Sequence, residues 1–231
     1  MVSIEDPNPG YVADYSAFLG RQTHLRLGMA LVAEFDEMDA AADQNATPLP
    51  QDGSIDLGLA LHMIYFISEL PAGLTRMARF LKPRGTLFIV VADDTASYAG
   101  LVTKKFIEAG GDSGDNARYL SAVSERRRLL GSPAEGGGAI IDVLRSAGTP
   151  AEYHAQRQPS RLYGHSLADM IALSGIGLLS VVETLVKFEV AAELLLRDPE
   201  AVDLRIEDDG PRKGMWSVTQ PQWVSVVRRV S

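Results

Sequence analysis

The sequence predicts one α/β domain built on a mostly parallel sheet with an antiparallel final strand. Three observations carry that prediction. Ile55–Leu61 and Thr86–Val91 are apolar runs separated by a stretch of helical periodicity. The second run has no polar alternation after Thr86, which suits a parallel strand covered on both faces. Ala96–Ala109 is again helical, and strand, helix, strand, helix at these spacings marks a doubly wound sheet.

In chain order, Val2–Ile4 reads as a short strand with an acidic end, Glu5-Asp6, and a turn at Pro7–Gly10. Tyr11, Tyr15, Phe18 and Leu19 recur at helical spacing, with Gly20 as the stop. Leu25–Ala33 is compatible with a buried strand or a helix, and periodicity does not separate them. Pro48, Pro50, Asp52 and Gly53 mark a turn before the apolar run Ile55–Leu61, which reads as a buried strand. Ser68 is the expected cap of a helix presenting Leu70, Leu74, Met77, Ala78 and Leu81, with Pro71 early enough that its missing N–H is harmless. Lys82-Pro83-Arg84-Gly85 ends that helix. Beyond a loop at 110–115, a helical insertion from about 112 to 196 is expected. It holds a polar helix to Leu130, a linker at Ser132–Gly138, a short helix to Ala147, an extended stretch to Leu162, and helices at Ser166–Leu173 and Leu178–Leu196. Val202–Ile206 and Met215–Val230 close the chain as strands, the last as an antiparallel hairpin.

Composition narrows the function. At 231 residues and 46% hydrophobic content, one full core is affordable. Asp and Glu outnumber Lys and Arg by 30 to 22, for a net charge of −8, which argues against a nucleic-acid partner and for a small molecule, to which a cation would be suited. The absence of cysteine excludes a disulfide scaffold and thiolate chemistry. No apolar run is long enough to span a bilayer, and no secretory signal opens the chain. A cytoplasmic domain without membrane association is the expectation.

Asp52-Gly53-Ser54-Ile55-Asp56-Leu57 followed by Leu81-Lys82-Pro83-Arg84-Gly85-Thr86-Leu87 resembles the class I S-adenosylmethionine-dependent methyltransferases, where such segments open the fourth and fifth strands of a Rossmann-like sheet. Lys-Pro-x-Gly stops a helix sharply, with Gly85 free to take a positive φ. Leu61–Ala72, Leu87–Val91 and the ending at Trp223-Val224 are similar to the histamine N-methyltransferase group. The resemblance implies S-adenosyl-L-methionine as cofactor and methyl transfer to a small nitrogen or oxygen nucleophile.

The resemblance also implies site residues. Asp6, or its neighbour Glu5, would hold the cofactor ribose, although an Asp before Pro7 is also an ordinary turn residue. Asn45-Ala46 and Leu61 would border the adenine. The plainer reading is a loop Asn and a core Leu. His62, at the carboxyl end of a strand, would orient the acceptor amine or take its proton. Otherwise it is a histidine satisfied by backbone groups. Tyr65 would contact substrate as an aromatic wall for a cation, while Phe66 reads as core. Thr219 would touch substrate, with Trp216 and Trp223 either lining the same pocket or packing a half-exposed strand. Arg126-Arg127-Arg128 reads as a solvated face. No histidine spacing suggests a metal site.

The family's first strand and glycine-rich loop have no counterpart in this sequence, so an N-terminally truncated sheet is expected. That leaves a strand edge unpaired and an apolar face bare, favouring self-association. The same departure supports a rival reading, a non-catalytic methyltransferase-like protein with weak cofactor binding or none. A nicotinamide-dependent oxidoreductase ranks last for want of its fingerprint and of a Tyr-Lys pair.

Overall fold

The structure, a computed structural model, describes residues 2–24, 27–110, 114–174 and 188–230. Strand β1 (Val2–Asp6) leads into helix α1 (Pro9–Gly20), whose first turn is capped by the Asn8 side chain accepting from the N–H groups of Gly10 and Tyr11. The ambiguous segment is a strand, β2 (Leu27–Val32), parallel to β1. Met29 and Leu31 bury themselves against Met38 and Ala42 of α2 (Met38–Gln44). Then come β3 (Ile55–Leu61), α3 (Leu70–Phe80) and β4 (Leu81–Ala92). The remaining elements are α4 (Tyr98–Gly110), α5 (Gly114–Leu130), α6 (Ile140–Ser146), β5 (Ala151–Gln158), β6 (Arg161–Gly164), α7 (Leu167–Leu173), α8 (Phe188–Arg197), β7 (Arg205–Ile206), β8 (Trp216–Thr219) and β9 (Gln222–Arg229).

The main sheet has the order β3-β4-β9-β5. Strands β3 and β4 are parallel, and β9 is antiparallel to both β4 and β5. Three strands therefore run one way and the final strand is inserted against them, as expected. The terminal hairpin does not form. Strand β8 belongs instead to a separate antiparallel sheet, β6-β8-β7, because Gln220-Pro221 turns the chain between them. Helices α3 and α6 cover one face of the main sheet, where Leu74, Ile89, Leu144 and Val227 are fully or almost fully buried. A second core joins α4, α7 and α8 to the small sheet around Tyr98, Met170 and Val218. The expected loop at 110–115 and the first part, 178–187, of the helix expected over 178–196 fall outside the described residues in whole or in part, while the rest of that helix is α8.

Several details depart from expectation. Strand β3 is not buried on both sides. Leu57, Leu59 and Leu61 remain 54%, 60% and 55% exposed, and their cross-strand neighbours Phe88 and Val90 are only half-buried. No described helix covers that face. Tyr11, Tyr15 and Phe18 of α1 are exposed, because a two-stranded sheet buries only the narrow stripe at Val12 and Leu19. Ser68 is not the cap of α3. Glu69 holds that position without a side-chain bond, and Ser68 donates its N–H and hydroxyl to Asp36. Pro199–Val202 is a 3-10 turn, which leaves only Arg205–Ile206 of the expected strand.

Near the start of β4, where the register with β3 shifts between Leu81 and Thr86, the positive φ belongs to Arg84 (66°), not Gly85. Gly85 is required for a different reason: a Cβ there would lie 2.8 Å from the Ile55 carbonyl oxygen and 2.9 Å from that of Lys82. Arg84→Gly should therefore stabilise the protein by about 0.5–1 kcal/mol in urea denaturation, by removing left-handed strain from a side-chain-bearing residue.

Candidate functional site

Parallel strands present their carboxyl ends together, and the loops beyond those ends are where such sheets hold ligands. Here the relevant ends are those of β3 and β4. His62 leaves β3 with φ 54°, its N–H still bonded to the Val90 carbonyl at 2.9 Å. This left-handed residue turns the chain into a 3-10 segment, Ile64–Phe66, which brings Tyr65 back over the sheet end. The two rings stack with centroids 6.3 Å apart and 17° between planes. The Tyr65 hydroxyl accepts the Ala92 N–H at 2.5 Å, joining the end of β3 to that of β4. His62 is exposed, yet partial desolvation of its ring lowers its pKa from 6.5. The neutral, proton-accepting form therefore prevails at neutral pH.

Beyond Ala92 stand two acids, each with an arginine. Asp93 accepts Arg157 Nε at 2.7 Å and both the N–H and hydroxyl of Thr95. Asp94 accepts Nε and Nη2 of Arg126 at 3.2 and 3.0 Å. Burial pushes the Asp94 carboxyl above its usual range, and the Arg126 guanidinium partly offsets this. That guanidinium is 6% exposed and sits 5.0 Å from the centre of the Tyr65 ring. Arg126 is thus not on a solvated face. Its neighbour Arg128 does lie at the surface, paired with Glu125. Asp93, Asp94, Thr95, Arg126 and Arg157 line a cavity of about 230 Å3 with Trp223 as an aromatic wall and Val91 and Leu130 also bordering it. A larger depression of about 1070 Å3 runs along the outer surfaces of α3 and α6, but its ion pairs, Arg76–Asp39 and Arg79–Asp52, leave their carboxylates open to water, so it offers no comparable site.

The other expected residues are spread more widely. Asp6 is half-buried and its Oδ1 accepts the Asn8 N–H at 2.7 Å, which makes it the turn residue that its position before Pro7 allows. Glu5 behaves differently. Its Oε1 is buried with no hydrogen-bond partner, and burial, aided by Asp6 and opposed by Arg76, raises its pKa from 4.5 to about 7. Asn45 is exposed at the end of α2, its amide donating to the Ala41 carbonyl at 2.7 Å, and Ala46 follows with φ 50°. Leu61 lies on the open face of β3, not in a core. Thr219 ends β8 opposite Arg161 in the small sheet, and Trp216 packs into the second core. Phe66, read as core, is 57% exposed, with its ring edge-on to Tyr65.

The structure thus brings together His62, Tyr65 and, through Arg126, the cavity at Asp93-Asp94. Arg157 and the acid pair were not singled out in the sequence, and Arg126 was named only as part of a solvated face. The one signal available was an Asp-Asp dipeptide directly after the β-rich run, where a strand's carboxyl end must fall. Among the described residues no group of three His, Cys, Asp or Glu is arranged to hold a metal, and no helix is long and apolar enough to cross a membrane.

No protein-family model matches the chain, and no curated protein matches it. Solved structures of similar architecture include a Bacillus halodurans protein provisionally named a methyltransferase, at 12% identity and TM-score 0.47, covering 98% of this chain and 82% of that one. The YcgJ protein of Bacillus subtilis aligns at 14% identity and TM-score 0.48, over 98% of this chain and 81% of its own. A Thermotoga maritima S-adenosylmethionine-dependent methyltransferase, provisionally named for histamine, aligns at 15% identity and TM-score 0.30, over 85% and 70%. Likenesses this distant decide nothing about cofactor or acceptor, which rest on the residues themselves.

Proposed function

We propose that this chain is a methyltransferase domain that uses S-adenosyl-L-methionine and transfers a methyl group to a nitrogen or oxygen of a small molecule. The observation that carries the reading is the His62–Tyr65 stack at the carboxyl end of β3, with Arg126 linking the Tyr65 ring to a cavity of about 230 Å3 at the end of β4. Its support also includes the sequence punctuation around Asp52–Leu57 and Leu81–Leu87 and the inserted antiparallel final strand.

The cofactor fits this chain at one end. A ribose diol needs a carboxylate with free lone pairs, and Glu5 Oε1 is a buried oxygen with none of its bonding satisfied. Glu5 therefore takes the ribose role in place of Asp6, whose Oδ1 holds its own turn. Asn45, Ala46 and Leu61 would border the adenine. When bound, the cofactor supplies an electrophilic methyl group on a sulfonium.

The protein's own part is modest. Neutral His62 accepts the proton that the acceptor loses as its lone pair forms the new bond to carbon. The cavity holds the acceptor in line and excludes water. Tyr65 already has a resident cation in Arg126, so the exposed ring of Phe66 is the better aromatic surface for a substrate ammonium. Thr219 and Tyr65 remain the proposed polar contacts to substrate.

His62→Asn tests this directly, because Asn tolerates the left-handed backbone at this position while removing the imidazole. Methyl transfer to a panel of small amines should fall about 100-fold, near the lower end for a lost general base. The acid limb of the wild-type pH profile, set by the lowered histidine pKa, should disappear with it. An unchanged rate and profile would remove His62 from the chemistry. The non-catalytic reading draws on the engaged side chains of Asp6 and Asn45, and it predicts no transfer by any variant or by the wild type.

A further inference from the structure

Three acids, Asp93, Asp94 and Glu135, and three arginines, Arg126, Arg127 and Arg157, border the cavity at the end of β4, so its charges balance but its hydrogen-bonding capacity does not. Both oxygens of Asp93 are occupied. Oδ2 accepts from Arg157 Nε at 2.7 Å, and Oδ1 accepts from the N–H and hydroxyl of Thr95. Arg157 spends only Nε, and among the described residues neither of its Nη nitrogens has a partner. Its side chain is 48% exposed, against 7% for Asp93. A guanidinium pinned at Nε by a buried carboxylate offers its two Nη groups as a fixed fork, the geometry that matches a carboxylate.

The fold sets this fork on a rigid floor. Arg157 lies on β5 directly opposite Trp223 of β9, and opposed residues share a face. Tyr153 and Ala155 precede it on that face at alternate positions. The Tyr153 hydroxyl donates to the Gly131 carbonyl at 3.2 Å, and the Ser225 hydroxyl donates to that of Leu130 at 2.8 Å. These bonds tie the end of α5, which carries Arg126 and Arg127, to the sheet. Asp94 gives Arg126 its Oδ2 alone, and among the described residues its Oδ1 has no partner. The cavity thus holds a spare donor fork and a spare acceptor oxygen.

We propose that this cavity is a carboxylate-binding site, in which the Arg157 fork holds the carboxylate of a small amino acid and Asp94 Oδ1 accepts from its amine. The acceptor is then a zwitterion, not the simple cation to which a net charge of −8 is suited. A dianion such as phosphate fits poorly, because Asp93, Asp94 and Glu135 oppose a second negative charge. At about 230 Å3 the space lies below the about 300–1,000 Å3 of sites for drug-sized ligands, which limits the guest to a few carbons. Carboxylate binding stands on the cavity alone, while methylation of the bound amino acid rests on the methyl-transfer reading.

Matched pairs of ligands test this. Glycine, β-alanine and γ-aminobutyrate are titrated calorimetrically into the wild-type chain beside methylamine, ethylamine and propylamine, the amines left when each carboxylate is removed. At least one amino acid should bind with a Kd of about 1 mM or below, and its amine about tenfold more weakly or worse. Arg157→Lys keeps a charge for Asp93 but has no fork, and should weaken amino-acid binding about tenfold. Arg79→Lys, at the outer surface of α3, should leave it unchanged. Equal binding of amino acid and amine would overturn the proposal. So would equal affinity in Arg157→Lys and wild type, or no binding of any amino acid up to about 10 mM. Transfer assays separate this site from the reaction. An amino acid that binds through Arg157 but gains no methyl group leaves the carboxylate site standing and removes the methyl-transfer reading. Ethylamine methylated as readily as β-alanine keeps methyl transfer and overturns the carboxylate site.

Discussion

Arg126→Ala should destabilise the protein by about 3–5 kcal/mol at pH 8, the cost of removing one partner from a buried ion pair. Arg126 is 6% exposed and Asp94 17%, so neither charge has water to fall back on. The loss should depend on pH with a definite sign. Burial already raises the folded-state pKa of Asp94 above 3.8, and Arg126 is the group holding it down. Without the arginine the folded pKa rises further. A carboxyl whose pKa is raised by folding contributes stability that is present at low pH and lost as pH climbs through the folded value. The variant should therefore lose less as pH falls, because protonation of Asp94 relieves the unpaired buried charge, and most at pH 8. Urea denaturation at pH 8 and at lower pH reads this. Arg126→Met combined with Asp94→Asn should recover most of the loss, because it removes both charges and keeps the volume. An equal, small effect at high and low pH would mean that the pair is not buried in solution.

Glu5→Gln should have the opposite effect. The Glu5 carboxyl titrates near 4.5 unfolded and about 7 folded, because β1 holds it out of water beside Asp6. The folded state binds the extra proton between those values, so wild-type stability is full below the unfolded pKa and declines as pH rises through about 7. Gln abolishes that decline. At pH 8 the variant should be more stable by about 1–3 kcal/mol, and near pH 4 the two should coincide. If Glu5 also holds the cofactor ribose, the gain in stability comes with weaker cofactor binding, the usual trade at a strained functional position. A wild-type curve that is flat between pH 5 and 8 would show that Glu5 is solvated.

These two residues illustrate what the sequence conveyed and what it did not. Strands β3 and β4, helix α3 between them and the turn at Lys82–Gly85 were legible because apolar runs and breakers alternate there at short range. The turn's mechanics were not. The sequence suggests that Gly85 supplies the positive φ, yet Arg84 takes it, and Gly85 is needed because a Cβ there would meet the Ile55 carbonyl of the neighbouring strand. Segment 25–33 stayed ambiguous since a short apolar run has no decisive period, and pairing with β1 settled it as a strand. The exposure of Leu57, Leu59 and Leu61 was invisible strand by strand, because which face a strand buries depends on the helices packed against it.

At the site, His62 and Tyr65 were legible from their place after an apolar run. Arg126 was not. Its helix is polar overall, and only tertiary packing shows that one arginine of three turns inward to Asp94 while the next pairs with Glu125 at the surface. Glu5 was named only as an alternative to Asp6. The choice between them depends on strand alternation and on the bond from Asn8, neither of which a one-dimensional pattern contains.

Isothermal calorimetry of the purified chain with S-adenosylhomocysteine tests the central claim most directly. The account predicts binding in the micromolar range, about −8 kcal/mol at 1 µM, weakened by Glu5→Ala far more than by Asp6→Ala. Absence of binding up to millimolar concentration would contradict it.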